Sequence, residues 1–274
     1  MNPRRAAVAG AVGPISVLYA ELESRGTPLV LIHGVNGAAS QWSGVIDLLA
    51  DRPVLALDLR GHGESAGAAD RRPGDYGADA YADDVAAVLD HFAVSRAHLA
   101  GASFGGGVAV TVAAQRPALP LSVTVLGGAL SVAGRTDIDV LIGELRHRGP
   151  AEFFELVASA SFAPGTDETL LRDSARLAAR NDAGTVEAIL RDAFTADVST
   201  AAAAVSVAAL VLTGEYDQTC PPELGVALAR ALHGRHSILP GRGHMAHLED
   251  PGLIARLLDR HLTEVERPAD KVGG

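Results

Sequence analysis

Short, wholly apolar runs recur along the chain, and each stops at or next to glycine. Leu29–Ile32 ends at His33-Gly34, Val54–Leu59 at Arg60-Gly61-His62-Gly63, and Ala97–Ala100 at Gly101. Leu121–Leu126 ends at Gly127-Gly128, Ala208–Leu212 at Thr213-Gly214, and His236–Leu239 at Pro240-Gly241. Runs without polar alternation predict strands buried on both faces. Between them the period becomes helical. Val85, Val88, Leu89 and Phe92 fall at i, i+3, i+4 and i+7, one face of a helix. Pro221-Pro222-Glu223 opens a helix through Leu224, Leu228 and Leu232 that Gly234 stops. Asp250-Pro251 supplies an N-cap and a Pro at the first helical position. Leu253, Ile254, Leu257, Leu258, His261 and Leu262 then share one side. Strands alternating with helices predict an α/β fold built from right-handed crossovers, with a mainly parallel sheet covered on both faces.

One stretch breaks the alternation. From Arg135 to Val205 there is no strand-like run, and helical segments appear instead at Val140–Leu145, Ala151–Ser161, Glu168–Arg180 and Thr185–Ala196. Residues 135–205 therefore read as a helical excursion over one end of the sheet. The core is then 1–134 plus 206–266, and 267–274 is a disordered, solvated tail. At the other end, Met1-Asn-Pro-Arg-Arg and Ala6–Val12 have the charge order of a secretory signal. The apolar part is short, rich in Ala and Gly, and runs into Gly13-Pro14, so it reads as a frayed terminus before a first strand, Ile15–Ala20.

Composition narrows the classes. Of 274 residues, 48% are apolar, which fills a large core and excludes disordered, collagen-like and disulfide-scaffold chains. The single cysteine, Cys220, forms no internal disulfide and fits a reducing cytoplasm. A net charge of −10 with scattered Lys and Arg argues against nucleic acid as a partner. The longest apolar stretch, Ala201–Leu212, is too short to span a bilayer, which argues against a membrane partner as well.

The candidate chemistry lies at the glycine stops. Gly101-Ala102-Ser103-Phe104-Gly105-Gly106 places a G-x-S-x-G between a buried strand and the helical run Val108–Gln115. Glycines on either side suit a sharp strand-to-helix turn that lifts the Ser103 hydroxyl above the sheet edge, at a helix N-terminus. A serine needs a base to take its proton and a carboxylate to orient that base. His244, in Gly241-Arg-Gly-His-Met, follows the last strand on the same sheet edge. Asp217, in Gly214-Glu-Tyr-Asp, follows the penultimate strand. Glu215 is the rival acid, and His33 and His62 at other strand ends are rival bases. His91, His98, His147, His233, His236 and His261 have no associated nucleophile. His244 and His247 lack Cys or acidic partners at metal-ligand spacing, so no metal is expected, and the chemistry requires no cofactor. An oxyanion needs two donors, and the Val35 and Phe104 N–H groups are placed to supply them.

His33-Gly34, Asp58-Leu-Arg-Gly-His-Gly-Glu-Ser65, Gly101–Gly106, Gly214-Glu-Tyr-Asp217 and Gly241-Arg-Gly-His-Met245 together resemble the α/β-hydrolase superfamily, in its order and over nearly the whole chain. The resemblance implies an eight-stranded, mostly parallel sheet, flanked by helices, with a helical lid at 135–205. Within the superfamily the chain is similar to the group of 3-oxoadipate enol-lactonases, cofactor-free haloperoxidase-like esterases and ring-cleavage-product hydrolases. A serine at the nucleophile position departs from the branches that use aspartate there. The lid matches no subgroup.

Aromatics make up 4% of the chain, so pocket walls have few candidates. Trp42, Phe104, Tyr216 and Met245 adjoin the active-site segments, and Phe153, Phe154 and Phe162 fall in the insertion. Asn36, Trp42, Phe153, Tyr216 and Met245 are taken as substrate-binding, with core packing the competing role for Phe154 and Phe162. Arg60 reads as a structural strand-end residue and Cys220 as inert packing. The function expected is a serine hydrolase acting on an ester or lactone of a small, largely apolar substrate. C–C hydrolysis of vinylogous keto acids and a non-catalytic small-molecule receptor are the alternatives. The partner is a small-molecule substrate, and association with further copies of the chain is left open.

Overall fold

The computed structural model describes residues 3–24, 26–49 and 52–267. The predicted tail 267–274 lies outside these residues from 268 onward. Eight strands form one sheet: β1 (Arg4–Gly10), β2 (Gly13–Ala20), β3 (Leu29–Ile32), β4 (Val54–Leu57), β5 (Ala97–Ala102), β6 (Pro120–Leu126), β7 (Ala208–Gly214) and β8 (Arg235–Leu239). Their order is β1-β2-β4-β3-β5-β6-β7-β8. β1 and β2 pair antiparallel, β2 meets β4 antiparallel, and every later pairing is parallel. All four residues of β3 and of β4 are buried, as expected of strands covered on both faces.

The frayed terminus expected before Ile15 is instead strand β1, paired from Arg4 opposite Tyr19 to Gly10 opposite Gly13. The apolar pattern does not announce it, because Val8 is its one buried residue. Backbone pairing to β2, rather than burial, holds it in place.

Helices α1 (Ser43–Ile46), α2 (Ala78–His91), α3 (Phe104–Gln115), α4 (Ile138–Ala158), α5 (Glu168–Ala178), α6 (Ala183–Thr195), α7 (Ser199–Ala204), α8 (Pro222–Ala231), α9 (Ala246–Glu249) and α10 (Pro251–Glu266) complete the chain. One apolar cluster joins α2, α3 and α8 to one face of the sheet through residues such as Val88, Val110 and Leu228. A second joins α1 and α10 to the other face through Ile46, Leu258 and Leu262. The parallel strands therefore all point their C-terminal ends, and the loops that follow them, to one edge.

Helices α4 to α7 fill the interval between β6 and β7, where the strand pattern lapsed. α4 bends where Gly149 leaves the helical region (φ 74°, ψ 165°) just before Pro150. The insertion has its own apolar cluster, centred on Ile142, Leu145, Phe153, Phe154, Val186 and Leu190. Its two ends are tied together. Ser131 pairs with Asp197 in an isolated bridge, and Val198 N–H donates to the Leu130 carbonyl at 2.9 Å.

Candidate active site

Ser103 alone makes the turn from β5 into α3, with φ +53° and ψ −127°. An L-residue held in this region is strained by roughly 1–3 kcal/mol and persists only where its surroundings impose it. The surroundings are unusually tight. A Cβ on Gly101 would collide with the Gly105 carbonyl, and one on Gly105 with the His33 carbonyl. Ser103 N–H donates to the Leu126 carbonyl at 2.7 Å, fixing the turn to β6. Phe104 opens α3, so its N–H is one of the helix's orphan donors.

His244 and Asp217 meet across the loops after β8 and β7. Nδ1 of His244 lies 3.0 and 2.9 Å from the two carboxylate oxygens of Asp217, and both residues are buried. Asp217 Oδ1 also accepts the Thr219 and Cys220 N–H groups at 3.0 and 2.8 Å. An acid held by three donors is fixed in direction, and with Nδ1–H donated to it the imidazole keeps Nε2 as the free nitrogen. The loop after β6 makes room for the pair with Gly127, at φ +55°. A Cβ there would sit 2.9 Å from Asp217 Oδ2 and 3.0 Å from His244 Nδ1.

The segment after β3 is braced from below. His33 Nδ1 donates to the Gly34 carbonyl at 2.7 Å, and its Nε2 accepts the Leu59 N–H at 3.0 Å. His62 repeats the arrangement, with Nδ1 on the Arg60 carbonyl and Nε2 accepting the Asn36 N–H at 2.9 Å. Burial holds both imidazoles below their usual range, His62 down to about 3 with His33 beside it adding repulsion. Both are neutral, and both nitrogens of each are occupied. Asp58 joins the same brace by accepting the Ala39 N–H at 2.7 Å. Arg60 forms a buried two-point ion pair with Asp84, at 2.7 Å for each contact.

Gly34, Val35, Asn36, Ser103, Phe104 and His244 all line one cavity of about 530 Å³ between the sheet edge and the helical insertion. No hydrogen bond within the described chain takes the Val35 N–H. The insertion supplies apolar walls from Leu141, Phe153, Phe154, Val157, Leu190 and Phe194. Glu249 ties the two halves together. Its carboxylate accepts the Ala163 N–H of the insertion and the Gly243 N–H of the His244 loop, each at 2.7 Å. Among the described residues no group of three or more His, Cys, Asp and Glu is assembled for a metal ion.

Residues 27–251 match the family model described as alpha/beta hydrolase fold. The chain belongs to the α/β-hydrolase family. A curated relative from Enterobacter sp. (strain 638), 2-succinyl-6-hydroxy-2,4-cyclohexadiene-1-carboxylate synthase, is 30% identical over 241 residues, covering 84% of this chain and 89% of that protein. A shorter stretch of 105 residues is 46% identical to the dihydrolipoyllysine-residue acetyltransferase component of an acetoin cleaving system from Pseudomonas putida. It spans 38% of this chain but 27% of that protein. Among solved structures, an esterase from Exiguobacterium antarcticum superposes with a TM-score of 0.85 at 18% identity, over 95% of this chain and 100% of that one. The enol-lactonase from Burkholderia xenovorans LB400 gives 0.83 at 23%, again over 95% and 100%. At these identities the two structures speak for the fold.

Within this α/β hydrolase, two expected pocket residues lie elsewhere. Trp42 is fully buried outside the cavity, its ring stacked on His247 with centroids 4.7 Å apart. Tyr216 is 45% exposed and does not line the cavity. Both adjoin the site in sequence without lining the cavity. Asn36, Phe153 and Met245 do line the cavity, as do Phe154 and Phe162. Glu215 caps a turn by accepting the Gly241 N–H at 2.8 Å. Cys220 is buried in the cavity wall, where burial and Asp217 push its thiol up. Gln41 and His247 also line the cavity; the sequence pattern singled out His247 only as a metal ligand to be rejected and gave no notice of Gln41.

A second Ser/His/carboxylate group stands at the opposite sheet edge. His98 lies 2.7 Å from Ser122 Oγ and 3.0 Å from Glu266 Oε1. Ser122 and His98 are fully buried and do not line the cavity that holds Ser103, so this group fastens α10 to the sheet.

Proposed function

We propose that the protein is a serine hydrolase that opens a carboxylic ester or lactone of a small, largely apolar substrate through an acyl-enzyme on Ser103. One observation carries the reading: the strained Ser103 turn and the Asp217-held His244 line the same cavity. His244 Nε2 takes the Ser103 proton as Oγ attacks the carbonyl carbon. The Val35 and Phe104 N–H groups receive the oxyanion, and loss of one such donor typically costs about 10²–10³ in rate. The protonated His244 then gives its proton to the leaving oxygen, and water repeats the sequence to free the acid. Asp217 stays ionised throughout and stabilises the imidazolium. The α4–α7 insertion acts as the lid and supplies the apolar acyl wall.

A second reading, in which the same triad works on a carbon–carbon bond or without an acyl-enzyme, is prompted by the synthase relative. Against it stands the lining of the cavity. The synthase is named for a carboxylate, and here the one cationic lining residue, Arg135, pairs with Glu223 at 3.4 Å. The triad in turn disfavours a receptor without turnover. No helix among the described residues is long and apolar enough to cross a membrane. The single cysteine fits a cytoplasmic enzyme. Stopped-flow hydrolysis of short 4-nitrophenyl esters beside a lactone panel tests the proposal. It expects a burst of one 4-nitrophenolate per chain that Ser103→Ala abolishes. Turnover that survives Ser103→Ala would overturn it.

A further inference from the structure

Val35 lines the cavity, and the peptides on either side of it are each held by a buried imidazole. The Gly34 carbonyl accepts His33 Nδ1–H at 2.7 Å and Gly37 N–H at 3.2 Å. In a planar trans peptide the C=O and N–H point in opposite directions, so these bonds aim the Val35 N–H away from them. The next peptide donates its Asn36 N–H to His62 Nε2 at 2.9 Å. His62 can accept there because its Nδ1–H is on the Arg60 carbonyl at 3.0 Å. The helical insertion grips the same turn. Asn181, between α5 and α6, donates to the Gly61 carbonyl at 2.6 Å. The N–H of that peptide, on His62, donates to the Leu59 carbonyl at 2.9 Å, so both of its polar groups are fixed. Asp192 of α6 adds a second grip, its carboxylate accepting the Gly74 and Tyr76 N–H groups at 3.0 and 2.9 Å. Tyr76 packs on Gly61, where a Cβ would stand 2.6 Å from the ring.

We propose that His62 is a positioning residue for the oxyanion hole and that Asn181 acts through it, so that seating of the insertion sets the Val35 N–H. This role rests on Val35 as an oxyanion donor. His62 itself touches no reacting atom, since both of its ring nitrogens are taken. The insertion holds the carbonyl of Gly61, and the very next side chain holds the Asn36 N–H. A shift of the insertion therefore reaches the oxyanion loop through a single residue. An oxyanion donor works only when it is aimed in advance at the place where charge develops. Loosening Asn36 thus weakens an interaction made in the transition state, and the loss falls on kcat rather than on KM.

The test is a double-mutant cycle on the full chain, with kcat and KM measured for 4-nitrophenyl butanoate. His62→Phe keeps a ring beside His33 but removes the acceptor, and should lower kcat by about tenfold or more while KM stays within about threefold. His62→Gln, whose Oε1 can accept the Asn36 N–H, should recover most of that loss. Asn181→Ala should lower kcat by about threefold or more in the wild-type background and have no further effect on His62→Phe. An unchanged kcat in His62→Phe, equal losses in both His62 variants, or an Asn181→Ala loss of the same size with and without the His62 imidazole would overturn the role. NMR of the substrate-free protein separates this from the hydrolase reading and requires neither His62 variant to fold. A 15N–15N coupling across the hydrogen bond from Asn36 N to His62 Nε2, with Val35 and Asn36 amide shifts that move in Asn181→Ala, upholds the role even without turnover. Absence of the coupling in wild type, or amide shifts that Asn181→Ala leaves in place, contradicts it even where esters are hydrolysed.

Discussion

Gly127 makes room for His244: a Cβ on it would stand 3.0 Å from the Nδ1 that faces Asp217. The glycine serves two purposes, since its φ of +55° is itself costly for any side chain. Gly127→Ala therefore presses on the Asp217–His244 pair while straining the turn by about 1 kcal/mol. The expected outcome is a fold that melts a few degrees lower and a kcat reduced at least tenfold, with KM little changed. Calorimetry beside ester kinetics checks it, and an unaltered kcat would contradict it.

Asp217 and Glu215 compete for the same role in the sequence, and their contacts separate them. Asp217 faces His244, whereas Glu215 caps the Gly241 turn. Asp217→Asn keeps the shape but favours the wrong imidazole tautomer, and should lower kcat by about 10⁴. Glu215→Gln should leave kcat within about threefold, as expected of a group that touches neither Ser103 nor His244. The reverse ranking in a kcat comparison would reassign the acid.

Glu249 holds the insertion to the His244 loop through two N–H groups. Hydrogen bonds to a charged group contribute about 1.5–3 kcal/mol each. Loss of the two bonds, about 3–6 kcal/mol together, should lower Tm by roughly 6–24 °C in Glu249→Ala, given about 2–4 °C per kcal/mol for a domain of this size. It should also raise KM more than it lowers kcat, because the apolar wall carried by the insertion loses its anchor. Thermal melts and steady-state kinetics test both parts.

Acid should unfold the protein through its buried histidines. His62 and His247 are pushed down to about 3 and His261 to about 4, by burial first and then by neighbouring histidines and, for His261, Arg235. Their folded values lie below the unfolded value of about 6.5, so the unfolded chain binds protons first. Stability is full above pH 6.5 and falls below it, by about 1.4 kcal/mol per pH unit for each such histidine, until the folded values are reached. Tm should hold from pH 8 to 7 and drop steeply between 6 and 4.5. His261→Leu should make that drop shallower. A flat Tm down to pH 5 would contradict the buried neutral histidines.

Much of this was legible in the chain because burial on both faces leaves unbroken apolar runs, and each run ended in glycine where loops crowd the sheet edge. Ser103, Asp217 and His244 could be placed from those stops. β1 was not legible, since an edge strand held by backbone pairing needs no apolar pattern beyond Val8. Trp42 and Tyr216 were misplaced for a different reason. Nearness in sequence fixes a loop but not the direction of a side chain, and Trp42 turned to stack on His247. Glu249 gave no signal because its partners are backbone groups.

The most direct measurement is the site of covalent capture by an organophosphonate, read by peptide mass spectrometry. The account predicts one adduct per chain on Ser103, slowed strongly in His244→Gln and absent in Ser103→Ala. An unlabelled protein, or an adduct on another residue that persists in Ser103→Ala, would contradict it.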